Sequence, residues 1–336
     1  MRGDMPFNKL RVGLVGCGSF GESHLATFAG IPYAEVVAVT DIDLERATKL
    51  AARYNIPKVA KDLHELCGLP DIDAINVVTT ESQHLEPVLL ALEHGKHVFV
   101  EKPMATTLED GQKMLDAARK AGLILMPGHV CRFETKYATV KEQLASGKLG
   151  QIVSITARQN RPKGLAATYK RTHQALVCCI HDIDLMLWYT GKKVKRVRGY
   201  EVQLEKGTGA DLTWGVLEFV GGGLGFVQTM WLLPDKAQVV DDSMQVITTA
   251  GVANIDVHSG LTFWKEEGQE IPEVSYEPRL RGAVFGALRE ELSYFALCAI
   301  EGKQPSVITA EDGLEALRTT VALVESATSG QEIELT

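Results

Sequence analysis

Short apolar runs alternate with longer amphipathic segments over the first 126 residues. The apolar runs predict strands at 12–15, 35–41, 74–79, 97–100 and 123–126, and the 3.6-residue periodicity between them predicts helices at 44–54, 82–94 and 107–120. Strands that are apolar on both faces and alternate with helices of ten or more residues are typical of a doubly wound parallel sheet. The sequence therefore predicts an α/β domain over residues 1–126.

The pattern changes after a connector at 127–150. Strands with alternating polarity are predicted at 151–160, 214–220, 224–231, 244–248, 252–256 and 261–264, and helices at 173–189, 283–300 and 310–328. Several strands in succession without intervening helices indicate an α+β domain over 127–336 with a large, mainly antiparallel open sheet. An open sheet with aromatic side chains on its outer face predicts self-association, as a homodimer or homotetramer.

A glycine motif joins the first strand to the helix that follows it. The motif is Gly16-x-Gly18-x-x-Gly21, and it stands between an apolar strand and a helical pattern. Gly16 permits the tight turn, Gly18 leaves room for a pyrophosphate, and Gly21 lets the helix pack close to the strand. In this context the motif predicts a Rossmann domain that binds a dinucleotide.

The second strand ends in Asp41, about twenty residues after the motif, where a carboxylate suits a ribose 2′-hydroxyl. Asp43 follows it, and no basic residue comes before Arg46. Two carboxylates there should repel a 2′-phosphate, so NAD is predicted rather than NADP.

Two groups follow later strands at the edge of the sheet where ligands bind. Lys102, in Glu101-Lys102-Pro103, comes directly after a buried strand and could polarise a substrate hydroxyl; an exposed structural lysine fits its spacing equally well. His84 precedes a helix and is either a ligand-contacting residue or a packing or capping histidine.

Together these motifs resemble the Gfo/Idh/MocA family, which includes glucose-fructose oxidoreductase and inositol 2-dehydrogenase. The resemblance extends to the Gly-His-x-x-Arg-Phe segment at Gly128–Phe133 and to the C-terminal helix, and Thr80 stands where the family often has proline. It implies that Lys102 contacts the reacting hydroxyl and that His129 and His181 help to bind substrate. Arg161 and Lys163, which follow the strand at 151–160, could bind substrate oxygens, and two solvated cations are the preferred alternative. The residues expected to contact the cofactor are Gly16, Cys17, Gly18, Ser19, Phe20, Gly21, Asp41, Thr79, Thr80, His84, Glu101, Lys102 and Pro103.

The resemblance also implies a catalytic histidine at His181, with an aspartate four residues before it. That position is Val177 in this chain. His181 remains the candidate general base, because imidazole titrates near neutral pH, and a satisfied buried histidine is the alternative. His173, Tyr169 or a substrate hydroxyl could replace the missing acid, and the sequence does not decide among them.

Composition restricts the remaining possibilities. The formal net charge is −8 with no basic stripe, which argues against nucleic acid and anionic membrane as partners. No apolar run approaches 20 residues and residues 1–9 lack an apolar signal core, so a cytoplasmic protein is predicted. The six cysteines lack Cys-x-x-Cys or zinc-ligand spacing and are expected to be reduced thiols. No metal site is predicted, and a site at His181, Asp182 and Asp184 is disfavoured.

The leading hypothesis is an NAD-dependent oxidoreductase that transfers hydride between a secondary alcohol of a cyclic polyol, sugar or sugar derivative and the nicotinamide. One alternative is a glycoside-cleaving enzyme of the same fold with tightly held NAD. Another is a dinucleotide- and sugar-sensing protein without turnover, which the valine at 177 favours. Acyl-forming chemistry at Cys178 or Cys179 is disfavoured.

Overall fold

The computed structural model describes residues 9–169, 171–204, 209–235, 241–258, 260–266 and 268–335. Contacts between Cα atoms divide the chain into two compact units. The first contains the described residues up to Val130 together with Tyr276–Glu311, and the second contains Cys131–Ser275 and the residues from Asp312 onward. The domain boundary that the sequence predicts at residue 126 remains a prediction. The two units differ from it chiefly at residues 276–311, which belong to the first unit.

The first unit is built on a parallel six-stranded sheet. Its strand order is β3-β2-β1-β4-β5-β6, and every adjacent pair in it is parallel. The strands are β1 (Leu10–Val15), β2 (Ala34–Thr40), β3 (Lys58–Val59), β4 (Ala74–Val77), β5 (His97–Glu101) and β6 (Leu125–Gly128). The order reverses between β1 and β4, so the carboxyl ends of these two strands border the crevice where doubly wound sheets bind ligands. The predicted doubly wound sheet is confirmed.

Helices connect these strands, and polar side chains cap several of them. Asp43, Asp62 and Thr107 each accept a hydrogen bond from a backbone N–H in the first turn of their helix, as expected for N-cap residues. A 3₁₀ turn at Glu81–Gln83 precedes α4, where the sequence predicted one continuous helix. The helices are α1 (Ser19–Phe28), α2 (Leu44–Tyr54), α3 (Leu63–Cys67), α4 (Leu85–Glu93) and α5 (Leu108–Ala121).

The second unit contains a seven-stranded sheet of order β12-β11-β7-β10-β9-β8-β17. β7 and β10 are parallel and the other adjacent pairs are antiparallel, so the predicted mainly antiparallel sheet is confirmed. The strands are β7 (Ile152–Pro162), β8 (Val194–Val202), β9 (Leu212–Phe219), β10 (Leu224–Leu233), β11 (Asp241–Thr248), β12 (Val252–Asp256) and β17 (Ile333–Glu334). A separate hairpin pairs β13 (Phe263–Lys265) with β14 (Gly268–Glu270).

The helices of the second unit are α6 (Thr135–Ala145), α7 (Lys163–Thr168), α8 (Ile180–Thr190) and most of α10 (Ala310–Ser329). The predicted helix 173–189 is not uniform, because a π-helical turn at Ala175–Cys179 leads into α8. A π-helical turn adds one residue to the helical repeat, so sequence spacing there no longer reports which side chains share a face.

The returning segment of the first unit forms a short hairpin and a helix. The hairpin pairs β15 (Arg279–Leu280) with β16 (Ala283–Val284), and α9 (Ala287–Glu301) follows. The sequence predicted that this helix begins at 283. It begins later because Gly286, with φ of 82°, interrupts the helical backbone.

Candidate functional site

The glycine motif forms the turn between β1 and α1. Gly16 has φ of +100°, and a Cβ atom there would lie 2.5 Å from the carbonyl oxygen of Val78. A Cβ atom at Gly21 would collide with the Gly16 carbonyl oxygen, whereas one at Gly18 would meet nothing within 4 Å. The turn is therefore tight on the protein side and open at Gly18, next to the N-terminus of α1. That arrangement fits the pyrophosphate of a dinucleotide.

Asp41 immediately follows β2 and lies beside this turn. Its Oδ2 accepts a hydrogen bond from the backbone N–H of Cys17 (2.6 Å), and its Oδ1 accepts from Asp43 N (2.8 Å) and from Arg46 Nη2 (2.6 Å). Burial alone would raise the pKa of the Asp41 carboxyl, but these hydrogen bonds outweigh burial and hold its pKa below the ordinary value. Asp41 is therefore an ionised acceptor at the edge of the nucleotide turn, as a ribose-binding carboxylate must be.

Arg46 is the first basic residue after Asp41, and its guanidinium reaches the Asp41 carboxylate from the first turn of α2. The two side chains border a cleft of about 450 Å³ that also includes Cys17, Gly18 and Ser19. Lys49 and Arg53 line the same cleft, so its walls carry basic side chains as well as the carboxylates noted in the sequence.

His84 connects two loops at the carboxyl edge of the sheet. Its Nδ1 lies 3.0 Å from the carbonyl oxygen of Pro103, its Nε2 lies 3.2 Å from that of Thr79, and the residue is 1% exposed. Burial lowers the pKa of His84 below its ordinary value, so a neutral ring donates to one of these carbonyls. Thr79, His84 and Pro103 are thus brought together, and the histidine fixes the position of the Glu101–Pro103 turn. A direct contact of His84 or Thr80 with the cofactor stays a prediction.

Lys102 is half-buried in this turn and is joined to Pro103 by a cis peptide bond. The neighbouring Glu101 carboxylate accepts a hydrogen bond from Lys102 N (3.2 Å) and lies 3.1 Å from His24 Nε2. Asn76 Nδ2 donates to His24 Nδ1 (2.9 Å), so a neutral His24 carries its proton on Nε2, facing Glu101.

The chain from Asn76 through His24 to Glu101 is buried and braces the turn that carries Lys102. Sequence reasoning missed His24 and Asn76. A histidine three residues beyond the last motif glycine was the available signal for His24.

His129 immediately follows β6 in the first unit and is 1% exposed. Its predicted contact with substrate stays a prediction, and so does that of Arg161. The Arg161 guanidinium, in β7, pairs with both carboxylate oxygens of Asp242 in β11, and its Nη2 also donates to Gln159 Oε1. Its charge is therefore largely balanced within the protein. Asp242 is 81 residues away in the sequence, so only the pairing of β7 with β11 reveals it.

His181 lies in the first turn of α8 and is 8% exposed. Its Nδ1 is 3.6 Å from the Sγ of Cys131, a residue that sequence reasoning did not consider. Val177 packs against Cys178, Trp231 and Tyr169. His173, one of the residues considered as a replacement for the missing aspartate, accepts a hydrogen bond from Ala175 N, and its Nε2 lies 3.3 Å from Glu201 Oε2.

The two aspartates after His181 have other partners. Asp184 accepts two hydrogen bonds from the buried Arg132, at 2.8 Å from Nε and 2.7 Å from Nη2. Asp182 is fully buried and accepts from Gln159 Nε2, and burial raises its pKa far above the ordinary value. Asp184 thus ties α8 to Arg132.

The two adjacent cysteines do not suit acyl-forming chemistry. Both Cys178 and Cys179 are buried, and burial raises the pKa of the Cys179 thiol well above its ordinary value.

Within the described ranges, no group of three or more histidine, cysteine, aspartate and glutamate side chains is placed to hold a metal ion. None of the helices in that part of the chain is long and apolar enough to cross a membrane.

Comparison with known proteins matches both parts of the chain to one family. The sequence profile of the Gfo/Idh/MocA oxidoreductase family, described as an NAD-binding Rossmann fold, matches residues 10–129, and the profile of its C-terminal domain matches residues 137–254. A similar relative is the scyllo-inositol 2-dehydrogenase (NAD(+)) of Bacillus subtilis strain 168, which is 27% identical over 98% of this chain and 97% of its own.

Solved structures show the same fold over the whole chain. A scyllo-inositol dehydrogenase from Lactobacillus casei, with bound NAD(H) and scyllo-inositol, superposes with a TM-score of 0.85 at 22% identity over 97% of this chain and 99% of its own. GenD2 from gentamicin A biosynthesis, in complex with NAD, superposes with a TM-score of 0.88 at 22% identity over 100% and 99%. With its nucleotide turn, its Glu-Lys-Pro element and both profiles in place, this chain belongs to the Gfo/Idh/MocA family of oxidoreductases.

Proposed function

We propose that the protein is an NAD-dependent dehydrogenase that oxidises a secondary alcohol of a cyclic polyol, with the inositols as the first substrate class to test. The observation that carries the proposal is the half-buried Lys102, held at the carboxyl edge of the parallel sheet by Glu101, His24 and His84. Relatives named inositol dehydrogenases supply the substrate class.

The residues at the nucleotide turn fit NAD. The open space at Gly18 beside the N-terminus of α1 accommodates the pyrophosphate, and Asp41 accepts from the ribose hydroxyl. When bound, NAD supplies the hydride acceptor at its nicotinamide ring. The protein would supply binding, orientation and proton transfer.

In this proposal Lys102 and His181 divide the acid–base work. The Lys102 ammonium donates a hydrogen bond to the reacting oxygen and stabilises the negative charge that develops as its proton leaves. His181 accepts that proton. Both residues are proposed to contact substrate, together with His129.

The test is NADH formation with a panel of inositols, aldoses and aldonic acids, comparing wild type with Lys102→Ala. We expect wild type to oxidise one or more inositols and Lys102→Ala to lose at least about 100-fold in kcat. Lys120→Ala, at an exposed position of α5, is the matched control and should keep wild-type activity. Equal activity in wild type and Lys102→Ala would refute the assigned role.

A second candidate, a dinucleotide- and sugar-binding sensor without turnover, is favoured by one observation. Val177 is buried against Trp231 and Tyr169 rather than being an acid one turn before His181. Tight NAD binding by wild type with no oxidation of any compound in the panel would favour this candidate.

We further propose that the protein assembles as a homodimer or homotetramer through the sheet of the second unit, and that it works in the cytoplasm. Tyr200 and Trp214 are paired across β8 and β9 and are 55% and 51% exposed, and Leu224 lies on the same face. A second copy would cover this aromatic face. The six cysteines are all thiols rather than disulfides, which suits a reducing compartment. Light scattering of wild type and Trp214→Glu tests the assembly.

A further inference from the structure

His181 needs an orienting partner if it is to act as a base, and the two aspartates that follow it on α8 accept hydrogen bonds from other residues. The preceding turn is π-helical, and Val177 within it packs in an apolar cluster. Asp184, three residues after His181, accepts hydrogen bonds from Arg132 with both carboxylate oxygens. Asp182 accepts from Gln159 in β7.

Cys131 approaches the ring from a different part of the chain. Its Sγ lies 3.6 Å from His181 Nδ1, and the two residues are 2% and 8% exposed. That separation is a hydrogen-bond distance for sulfur, and burial shields the contact from competing water. The residues are fifty positions apart, so the contact is a property of the fold and not of local spacing.

We propose that the Cys131 thiol is the positioning residue for His181, accepting a hydrogen bond from Nδ1–H in place of the missing aspartate. This inference rests on the proposed dehydrogenase function. With its proton on Nδ1, the ring presents an unprotonated Nε2, which is the atom able to take the hydroxyl proton from the substrate. Once that proton is transferred, both ring nitrogens carry a proton, and the Nδ1–H continues to donate to sulfur.

A neutral thiol has a different electrostatic effect from a carboxylate. It fixes the tautomer without placing a full negative charge beside the imidazolium, so it stabilises the protonated ring less. The acidic limb of the pH–rate profile should therefore lie at lower pH than it would with a carboxylate partner. Tyr137 and Tyr189 are titratable groups that interact electrostatically with Cys131, and Asp182 and Asp184 follow His181 on α8. Asp182 interacts in turn with Arg161 and Asp242, and Asp184 pairs with Arg132.

The first test reads the tautomer directly from the ¹⁵N signals of the His181 imidazole in labelled protein. Wild type should show the Nδ1–H form, and Cys131→Ala should show its loss or a mixture of tautomers. Cys67→Ser is the matched control, because Cys67 is equally buried in the first unit, and it should leave the signals unchanged. The same tautomer in wild type and Cys131→Ala would overturn the proposal.

The second test is the pH dependence of turnover. Cys131→Ala should lower kcat at least about tenfold with a smaller change in KM, and Cys131→Ser should restore part of the loss. Cys131→Asp should move the acidic limb upward by about one pH unit or more, because a carboxylate favours the imidazolium. An unmoved limb in a folded Cys131→Asp would contradict the proposal.

The two tests separate this inference from the proposed function. If wild type oxidises no polyol but its His181 tautomer depends on Cys131, the dehydrogenase proposal fails while the positioning contact stands. If wild type oxidises polyols and the tautomer ignores Cys131, the positioning role fails alone.

Discussion

Replacing Asp41 with serine should shift the protein from NAD towards NADP. The carboxylate is an ionised acceptor at the nucleotide turn, and a hydrogen bond to a charged acceptor contributes about 1.5–3 kcal/mol. Losing the hydrogen bond between this carboxylate and the ribose hydroxyl should weaken NAD binding by roughly 10- to 150-fold. The substitution also releases the Arg46 guanidinium, whose side chain is 46% exposed, towards the same cleft.

The gain for NADP has an electrostatic origin. Two unit charges of like sign 4 Å apart repel by about 4 kcal/mol at an effective dielectric constant of 20, so the Asp41 carboxylate opposes a 2′-phosphate strongly. In Asp41→Ser this repulsion is absent and Arg46 is free to pair with the phosphate. NADP should therefore bind more tightly to the variant than to wild type.

Isothermal titration with NAD and NADP, separately, measures both effects on the purified protein. Asp43→Asn is the matched control, since it removes a nearby charge, retains an N-cap side chain on α2 and should leave the preference for NAD in place. Asp41→Ser/Arg46→Ala should keep only the part of the NADP gain that comes from removing the Asp41 charge, while remaining weak for NAD. If Asp41→Ser binds NADP no better than wild type does, the reasoning about this cleft is refuted.

Three further substitutions test buried polar contacts, each by urea unfolding. His24→Ala should lower the unfolding free energy by about 1–3 kcal/mol, because the Glu101 carboxylate loses its buried partner, and an unchanged value would mean that the contact is unimportant. Asp184→Asn should lower the unfolding free energy by about 1.5–3 kcal/mol, because the buried Arg132 guanidinium loses this ion pair and keeps its pair with the partly exposed Asp312, and a loss below about 1 kcal/mol would contradict this. Burial alone would raise the pKa of Asp242, but its partners Arg161 and His258 hold that pKa below its ordinary value. The ionised carboxylate therefore stabilises the fold above about pH 4, and this stability is lost as the pH falls through the lowered pKa. Asp242→Asn should therefore flatten the loss of stability as the pH falls below about 4, and a wild-type slope in the variant would oppose that assignment.

Local features of the first unit were predictable from the sequence because they depend on local physics. The glycine turn has one steric solution, so the spacing of the motif alone assigns Gly16 and Gly21 to their places in it. The cap at Thr107 follows from a short polar side chain at the start of the helical pattern 107–120. The alternation of buried strands and amphipathic helices determined the parallel sheet.

The contacts that the sequence did not disclose join residues far apart in the chain. Arg161 meets Asp242 only because β7 pairs with β11 in one register, and Cys131 meets His181 only because the fold brings a turn against the start of α8. The π-helical turn before His181 also changes the helical repeat, so counting back four residues to Val177 could not identify the partner of the ring. Side-chain partners of this kind depend on tertiary packing rather than on residue spacing.

The most direct test of the account is the fate of the hydrogen on the substrate carbon. An inositol oxidised by wild type should be supplied with deuterium at its ring carbons, together with NAD, and the NADH formed should be examined by mass spectrometry and NMR. The account predicts one deuterium at C4 of the nicotinamide, a primary isotope effect on turnover, and loss of label transfer in Lys102→Ala. Oxidised product accompanied by unlabelled NADH would contradict hydride transfer from the polyol and with it the central claim.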